Sequence, residues 1–349
     1  MVLLVLGVGC VPTSVEPTGV ATSSAGAEIV TRVATTLPET VEPSPAAPTQ
    51  AGPTAWELLH TTGQHSQFIA LIERADAVAL FDQPGDFTVF APSDAGFARY
   101  TAEAQELLQN ISGPQLRDWL TSHIGKGLLS TEDINNAYME CDALFIINDL
   151  DDHPILYGRY YGRAAVENAY VASAVATEQV ILHTIDQPIT TFAPPGLRTV
   201  GDRLAEIDRY TTDGLFAVAR GLSWPCTPYN DWWNPLEQPG NFIVLIPSQA
   251  ALLNIEGWQA FRPADLGPES EDFVRAVTVA RYHTFAQISD RVWENSSGLQ
   301  LTLLDETTLQ VGDQSMTINS RRPAANGAVY QIDTFLIPPE YEAQLRPKP

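Results

Sequence analysis

The chain has 349 residues, 44% of them hydrophobic, enough for about two ordinary domains with a core each. Its formal net charge is −23, and a surface this acidic repels phosphate backbones and anionic headgroups, which argues against a nucleic-acid partner. Three cysteines, Cys10, Cys141 and Cys226, are too few for a disulfide framework and too scattered for a zinc site; Cys141 and Cys226 are either buried thiols or a pair.

Residues 1–10, MVLLVLGVGC, form an apolar run that stops at a cysteine preceded by small residues. The run resembles a bacterial lipoprotein signal, in which cleavage before Cys10 leaves that residue to carry lipid. The alternative is an ordinary secretory signal, and either implies export. Residues 11–53 are rich in Thr, Pro, Ala, Val and Glu without apolar periodicity, so they read as a disordered, semi-stiff stalk. No later run approaches the ~18–20 apolar residues of a membrane-spanning helix, so the only membrane contact expected is a lipid on Cys10.

The globular part divides at Ala193-Pro194-Pro195-Gly196, a linker signal. The expected parts are a first domain over 54–192, a linker over 193–197, a second domain over 198–338 and a polar tail over 339–349. The two domains repeat each other, since QPGDFTVFAPSDAGF from Gln83 aligns without a gap to QPGNFIVLIPSQAAL from Gln238. In each copy a Pro-Gly turn precedes a continuous apolar run of strand length, which predicts a strand covered on both faces. Pro92 and Pro247 close those strands, and Ser93 and Ser248 are placed to cap the helix that follows. An amphipathic helix is expected upstream of each turn, through Phe68, Leu71 and Ile72 and through Leu215, Phe216 and Leu222. Downstream, Leu116, Trp119, Leu120 and His123 share one stripe, as do Phe273, Val277, Ala280 and His283. Each copy ends in strand-like sequence, so helices gather early and strands late, which predicts an α+β fold.

These landmarks resemble the fasciclin domain family. Thr88-Val89-Phe90-Ala91-Pro92-Ser93-Asp94 and Phe97 match its opening motif, and the second copy carries Gln249 and Leu252 at the acidic and aromatic positions. The family's central Tyr-His pair is intact in Tyr282-His283, while Ser122 precedes His123. Its closing motif is present as His183, Ile185 and Asp186, with Gln179-Val180 replacing Asn-Gly, and as Asn326-Gly327 through Asp333 to Pro338. The resemblance implies two tandem domains, each a β-strand wedge capped by helices, acting in adhesion or matrix contact. It also links the Tyr-His region to receptor contact, which makes Tyr282, His283 and His123 candidate partner-binding residues.

Candidate chemistry is sparse. His60 and His65 are five apart, which does not align two ligands on one helical face, and no metal, cofactor or catalytic motif is present. His123 and His283, on apolar stripes, are read first as hydrogen-bonded structural residues. Asp149, Asp151 and Asp152 lack the spacing of a calcium loop and read as a solvated turn. Asp186 and Asp333 have no paired carboxylate and read as structural. Aromatic residues concentrate in two apparent insertions, Tyr157 to Tyr170 in the first copy and Trp224 to Pro235 in the second. Tyr229, Trp232 and Trp233 in the latter either plug the domain edge or contact a partner. The expected function is an exported, non-enzymatic adhesion or interaction protein that binds a protein or polysaccharide of the cell surface or matrix. A carrier of an apolar lipid or pigment is the first alternative, and a glycan-acting enzyme the second.

Overall fold

A computed structural model describes residues 52–137, 145–160, 162–211, 236–258 and 270–348, all within one compact unit, Gln50–Pro349. Cys10, Cys141, Cys226, Tyr229, Trp232 and Trp233 lie outside the described residues, as do the signal, nearly all of the stalk and the amphipathic stretch from Leu215.

The first repeat opens with three helices, α1 (Ala55–Thr62), α2 (Ser66–Arg74) and α3 (Val78–Phe81). Thr54 and Glu57 form a capping box at the start of α1, each side chain accepting the other's backbone N–H. In α2 the expected stripe, Phe68, Leu71 and Ile72, is buried. Strand β1 (Phe87–Pro92) follows, then α4 (Asp94–Phe97), α5 (Ala102–Asn110) and α6 (Gly113–Thr121). After β2 (Ile124–Lys126) and the short helix α7 (Thr131–Asn136) come five strands. These are β3 (Phe145–Asn148), β4 (Pro154–Tyr160), β5 (Arg163–Val166), β6 (Ala169–Ala176) and β7 (Val180–Ile185).

The second repeat carries α8 (Val200–Thr211), β8 (Phe242–Pro247), α9 (Gln249–Leu253), the short β9 (Ile255–Glu256) and α10 (Glu271–Tyr282). Its sheet continues through β10 (Thr284–Ser289), β11 (Val292–Asn295), β12 (Gln300–Leu303), β13 (Thr308–Val311), β14 (Gln314–Ala324) and β15 (Gly327–Ile332).

Both repeats fold into α+β domains with the same strand order. The first sheet runs β2-β1-β7-β6-β5-β4-β3, and the second is a closed barrel, β10-β11-β12-β13-β14-β15-β8. In each, one parallel pair joins the two apolar strands, β1 with β7 and β8 with β15, and the remaining pairs are antiparallel. Those central strands are covered twice, which explains their unbroken apolar sequence. Val89 and Ala91 face the helices while Phe90 faces the barrel interior; Val244 and Ile246 against Ile243 and Leu245 repeat the arrangement.

Three expectations change. The first-copy aromatic stretch, Tyr157 to Tyr170, is no insertion, because it forms β4, β5 and the start of β6, the counterparts of β12 to β14. The added length includes α7 instead, whose Ile134 packs into the first barrel beside Leu129. Nor do Ala193–Leu197 behave as a free linker: Pro195–Leu197 form a 3₁₀ turn, and Ala193 and Leu197 are buried in the first repeat's core. The polar tail also folds back, since a short strand, β16 (Arg346–Pro347), pairs with β9 and Leu345 enters the second repeat's core.

The repeats also meet directly. The Thr101 amide, at the cap of α5, donates to the Ala325 carbonyl at 2.8 Å. Arg321 grips Glu103 through both guanidinium arms, at 3.0 and 2.5 Å. Ala325, from the hairpin between β14 and β15, packs in the first repeat's core.

Candidate functional site

The opening motif is a helix-capping device. Ser93 accepts the Gly96 amide at 3.1 Å, and its own amide donates to Ile185 on β7. Asp94 reaches back to α2, taking the Gln67 amide at 2.8 Å on Oδ1 and the Ser66 amide and hydroxyl on Oδ2. A carboxylate at a helix start also meets the positive end of the helix dipole. In the second repeat Ser248 accepts the Ala251 amide and donates its own to Ile332, as Ser93 does. Pro92 and Pro247 end β1 and β8, where no further ladder amide is required.

The central histidines join three pieces of each repeat. His123 follows α6, and its Nδ1 lies 3.2 Å from the Trp119 carbonyl. Its Nε2 accepts the Ile189 amide at 3.1 Å, and its carbonyl accepts the Phe90 amide of β1. His283 repeats this after α10, with Nδ1 2.8 Å from the Val279 carbonyl and Nε2 accepting the Leu336 amide at 3.2 Å. Its carbonyl accepts the Leu245 amide of β8. An amide can only donate, so Nε2 is unprotonated and the proton sits on Nδ1, facing the carbonyl four residues back. Both rings are fully buried, and burial pushes each pKa down to about 4. A partner docking on the folded domains therefore does not reach His123 or His283. Tyr282 is half-buried, edge-on to His283, and its phenol is pushed up by burial and by Glu340 and Glu342. Ser122, in the tyrosine's place, turns inward and donates to the Trp119 carbonyl at 2.7 Å.

His65 and His183 are buried neutral residues as well. The Nδ1 of His65 is 2.9 Å from the Pro92 carbonyl, and the Nε2 of His183 is 2.8 Å from Leu129, while burial lowers both pKa values.

The closing motif sets strand register. Asp186 takes the Tyr170 amide on Oδ1 and returns its own amide to the Tyr170 carbonyl; Asp333 does the same with Thr317. Each exchange sits beside an irregularity in the β6–β7 or β14–β15 ladder. Buried Asn326 accepts the Val200 amide at 2.7 Å and donates to the Leu236 and Gln238 carbonyls, tying α8 to the barrel. Gly327 has φ of 146°, and a Cβ there would stand 1.9 Å from the Phe242 carbonyl oxygen.

Asp149 is not solvated as expected. It is 1% exposed and receives the Asp151 and His153 amides, closing the β3–β4 turn, while Asp151 and Asp152 face solvent. Among the described residues, no group of three or more His, Cys, Asp or Glu converges as a metal site requires. No helix among them is long and apolar enough to cross a membrane. Sequence reasoning missed the polar seam between the repeats, where Asn168, Gln187, Thr190 and Asp202 meet, because nothing local marks residues that pair across such distances.

Residues 63–191 match the family model described as Fasciclin domain. Over that segment the chain is similar to the fasciclin domain family. The uncharacterized protein sll1735 of Synechocystis sp. is 28% identical over 138 residues, which cover 39% of this chain and 97% of that protein. The transforming growth factor-beta-induced protein ig-h3 of Sus scrofa is 26% identical over 265 residues, 73% of this chain. The chain spans 35% of the length of that pig protein. A solved FAS1 domain pair from the insect cell adhesion molecule fasciclin I covers 80% of this chain and 99% of its own, at 14% identity and a TM-score of 0.35. The fasciclin landmarks at Ser93, Asp94, His123 and Asp186 are thus the atoms that cap, staple and register the first domain. The second repeat has the same strand order and keeps His283, Asn326 and Asp333 in those tasks.

Proposed function

We propose that this protein is a cell-surface adhesion or interaction module whose fasciclin-like repeats present a binding surface to a protein or polysaccharide partner. Lipid on Cys10 would hold it at the membrane, and residues 11–53 would lift the folded part away. The observation that carries this reading is the employment of the motif side chains. His123, His283, Asp94, Asp186, Asp333 and Asn326 each bond backbone groups of their own repeat. Recognition then falls to the outer surface, where Tyr282 would supply rigid contact area; Tyr229, Trp232 and Trp233, outside the described residues, are proposed from the sequence as further contacts. The barrel interiors argue against a carrier that holds its cargo there, since Phe285, Trp293, Leu301 and Tyr330 fill one and Phe90, Ile134, Ile155 and Val166 the other.

The full chain, immobilised, is expected to retain purified surface polysaccharide or protein from its native envelope in a saturable way. Organic extraction followed by mass spectrometry is expected to yield no stoichiometric apolar compound. A stoichiometric lipid or pigment would replace the adhesion reading with the carrier. Turnover of a surface glycan abolished by one Asp or Glu substitution would replace it with an enzyme.

A further inference from the structure

A cavity of about 10 Å³ lies where the two repeats meet, lined by Gly96, Tyr100, Gln187 and Thr190 from one side and by Thr199 and Asn326 from the other. A single water needs roughly 10–15 Å³ of such space and two to four polar partners. Tyr100 lines this space, and its hydroxyl has no solvent exposure and no hydrogen-bonding partner among the described residues. Leaving a buried hydroxyl unpaired is costly, so an orphan beside polar neighbours points to something that completes it.

The neighbours are already arranged as acceptors. Thr190 and Thr199 both donate their hydroxyls to Asp202 Oδ2, at 2.8 and 2.9 Å; Thr199 also accepts the Asp202 amide at 3.1 Å, which leaves it one lone pair for another donor, and the Thr190 oxygen keeps its own. Gln187 spends its Nε2 on the Asn168 and Glu237 carbonyls. Its Oε1 is thus the acceptor end of a fixed amide. Tyr100 stays a neutral donor, because burial and the nearby Asp202 carboxylate both oppose its ionisation.

We propose that this cavity is a binding site for one ordered water, which takes a hydrogen bond from Tyr100 and gives its protons to acceptors among Gln187, Thr190 and Thr199. With Thr199 as one of the acceptors, the water joins a side chain of the first repeat to the start of α8 in the second. Ala325, whose carbonyl accepts the Thr101 amide across the repeats, lines the same cavity, so the water adds to a seam that joins them. A partner would then meet two surfaces whose spacing is set in advance.

Two measurements on the full chain test the site. A crystal structure at a resolution that shows ordered water is expected to place one water within hydrogen-bonding distance of the Tyr100 hydroxyl and of an acceptor from the other side chains. A dry cavity overturns the proposal. Tyr100→Phe is the second test, because its sign differs between the two cases. With the water present, the variant removes the donor to the water and leaves its acceptor site unfilled, so it is expected to lower Tm, with the repeats beginning to melt separately in calorimetry. With no water, removing an unsatisfied hydroxyl leaves Tm unchanged or raises it, which contradicts the site.

Discussion

The two barrels close differently. In the second repeat β10 and β11 form a hairpin through Asp290 and Arg291, pairing Phe285 with Asn295 and Gln287 with Trp293. In the first, the chain leaves β2 to build α7 before β3, and among the described residues one bridge, Gly125 to Asp149, spans the seam. Strand register places Gly125 where the second barrel has Phe285. Phe285 fills its barrel; Gly125 leaves room for Ile147, and Leu129 and Ile134 supply the missing interior. A closed ladder is therefore not required for a filled core, because a short helix can substitute for a hairpin. The cost is an edge held by few backbone bonds.

The sharpest break in the comparison is at the closing motif. Gly327→Ala forces a Cβ into the Phe242 carbonyl at a φ that side chains rarely adopt. It is expected to remove about 3–5 kcal/mol or to unfold the second repeat. The first repeat already carries the buried side chain of Val180 there, paired with Phe87, so Val180→Ala should cost only the lost packing, about 2 kcal/mol. Urea denaturation of both variants checks the contrast.

Acid should instead act on both repeats, and more on the first, which also buries His65 and His183. The pKa of His123 and of His283 is about 4 in the fold and about 6.5 in the unfolded chain. The unfolded state therefore binds protons first as pH falls. Stability is fully present above about pH 6.5 and drains between there and pH 4, by up to about 3 kcal/mol for each ring. His65 and His183 shift the same way and add to the slope. Denaturation midpoints across this range should fall steadily, and His283→Gln should flatten part of the slope. A flat profile would contradict the neutral staple.

A smaller effect is expected at the seam. The added Cβ of Gly125→Ala would meet the Ile147 methyl at 2.7 Å, the far end of a flexible side chain. The loss should be about 1 kcal/mol, with faster amide exchange in β2 and β3 than in β10 and β11. Smallest of all is Glu103→Ala. Its pair with Arg321 is about half exposed, so a loss of roughly 0.5 kcal/mol is expected, and less in high salt.

The sequence made the local devices readable and the long-range ones not. Ser93, Ser248 and the doubly covered strands announce themselves, because caps and apolar runs are set by neighbours within a few residues. The stripes ending at His123 and His283 were equally visible, though their acceptor roles toward Ile189 and Leu336 depend on chain that returns much later. Tyr157 to Tyr170 looked like an insertion because short strands with exposed outer faces carry little alternation. Ala193–Leu197 looked like a linker because Pro-Pro-Gly composition says nothing of the core into which Leu197 fits. Asp149 looked solvated because a buried Asp that receives turn amides has the same local sequence as an exposed one.

The central claim is that recognition lies on the surface and that the motif residues serve the fold. The most direct test is affinity and melting on the same Trp232→Ala/Trp233→Ala double variant of the full chain. The account predicts an unchanged Tm and a loss of about 2 kcal/mol or more in binding to the native envelope partner. A drop in stability of roughly 3–5 kcal/mol per buried ring, with unchanged affinity per folded molecule, would contradict it.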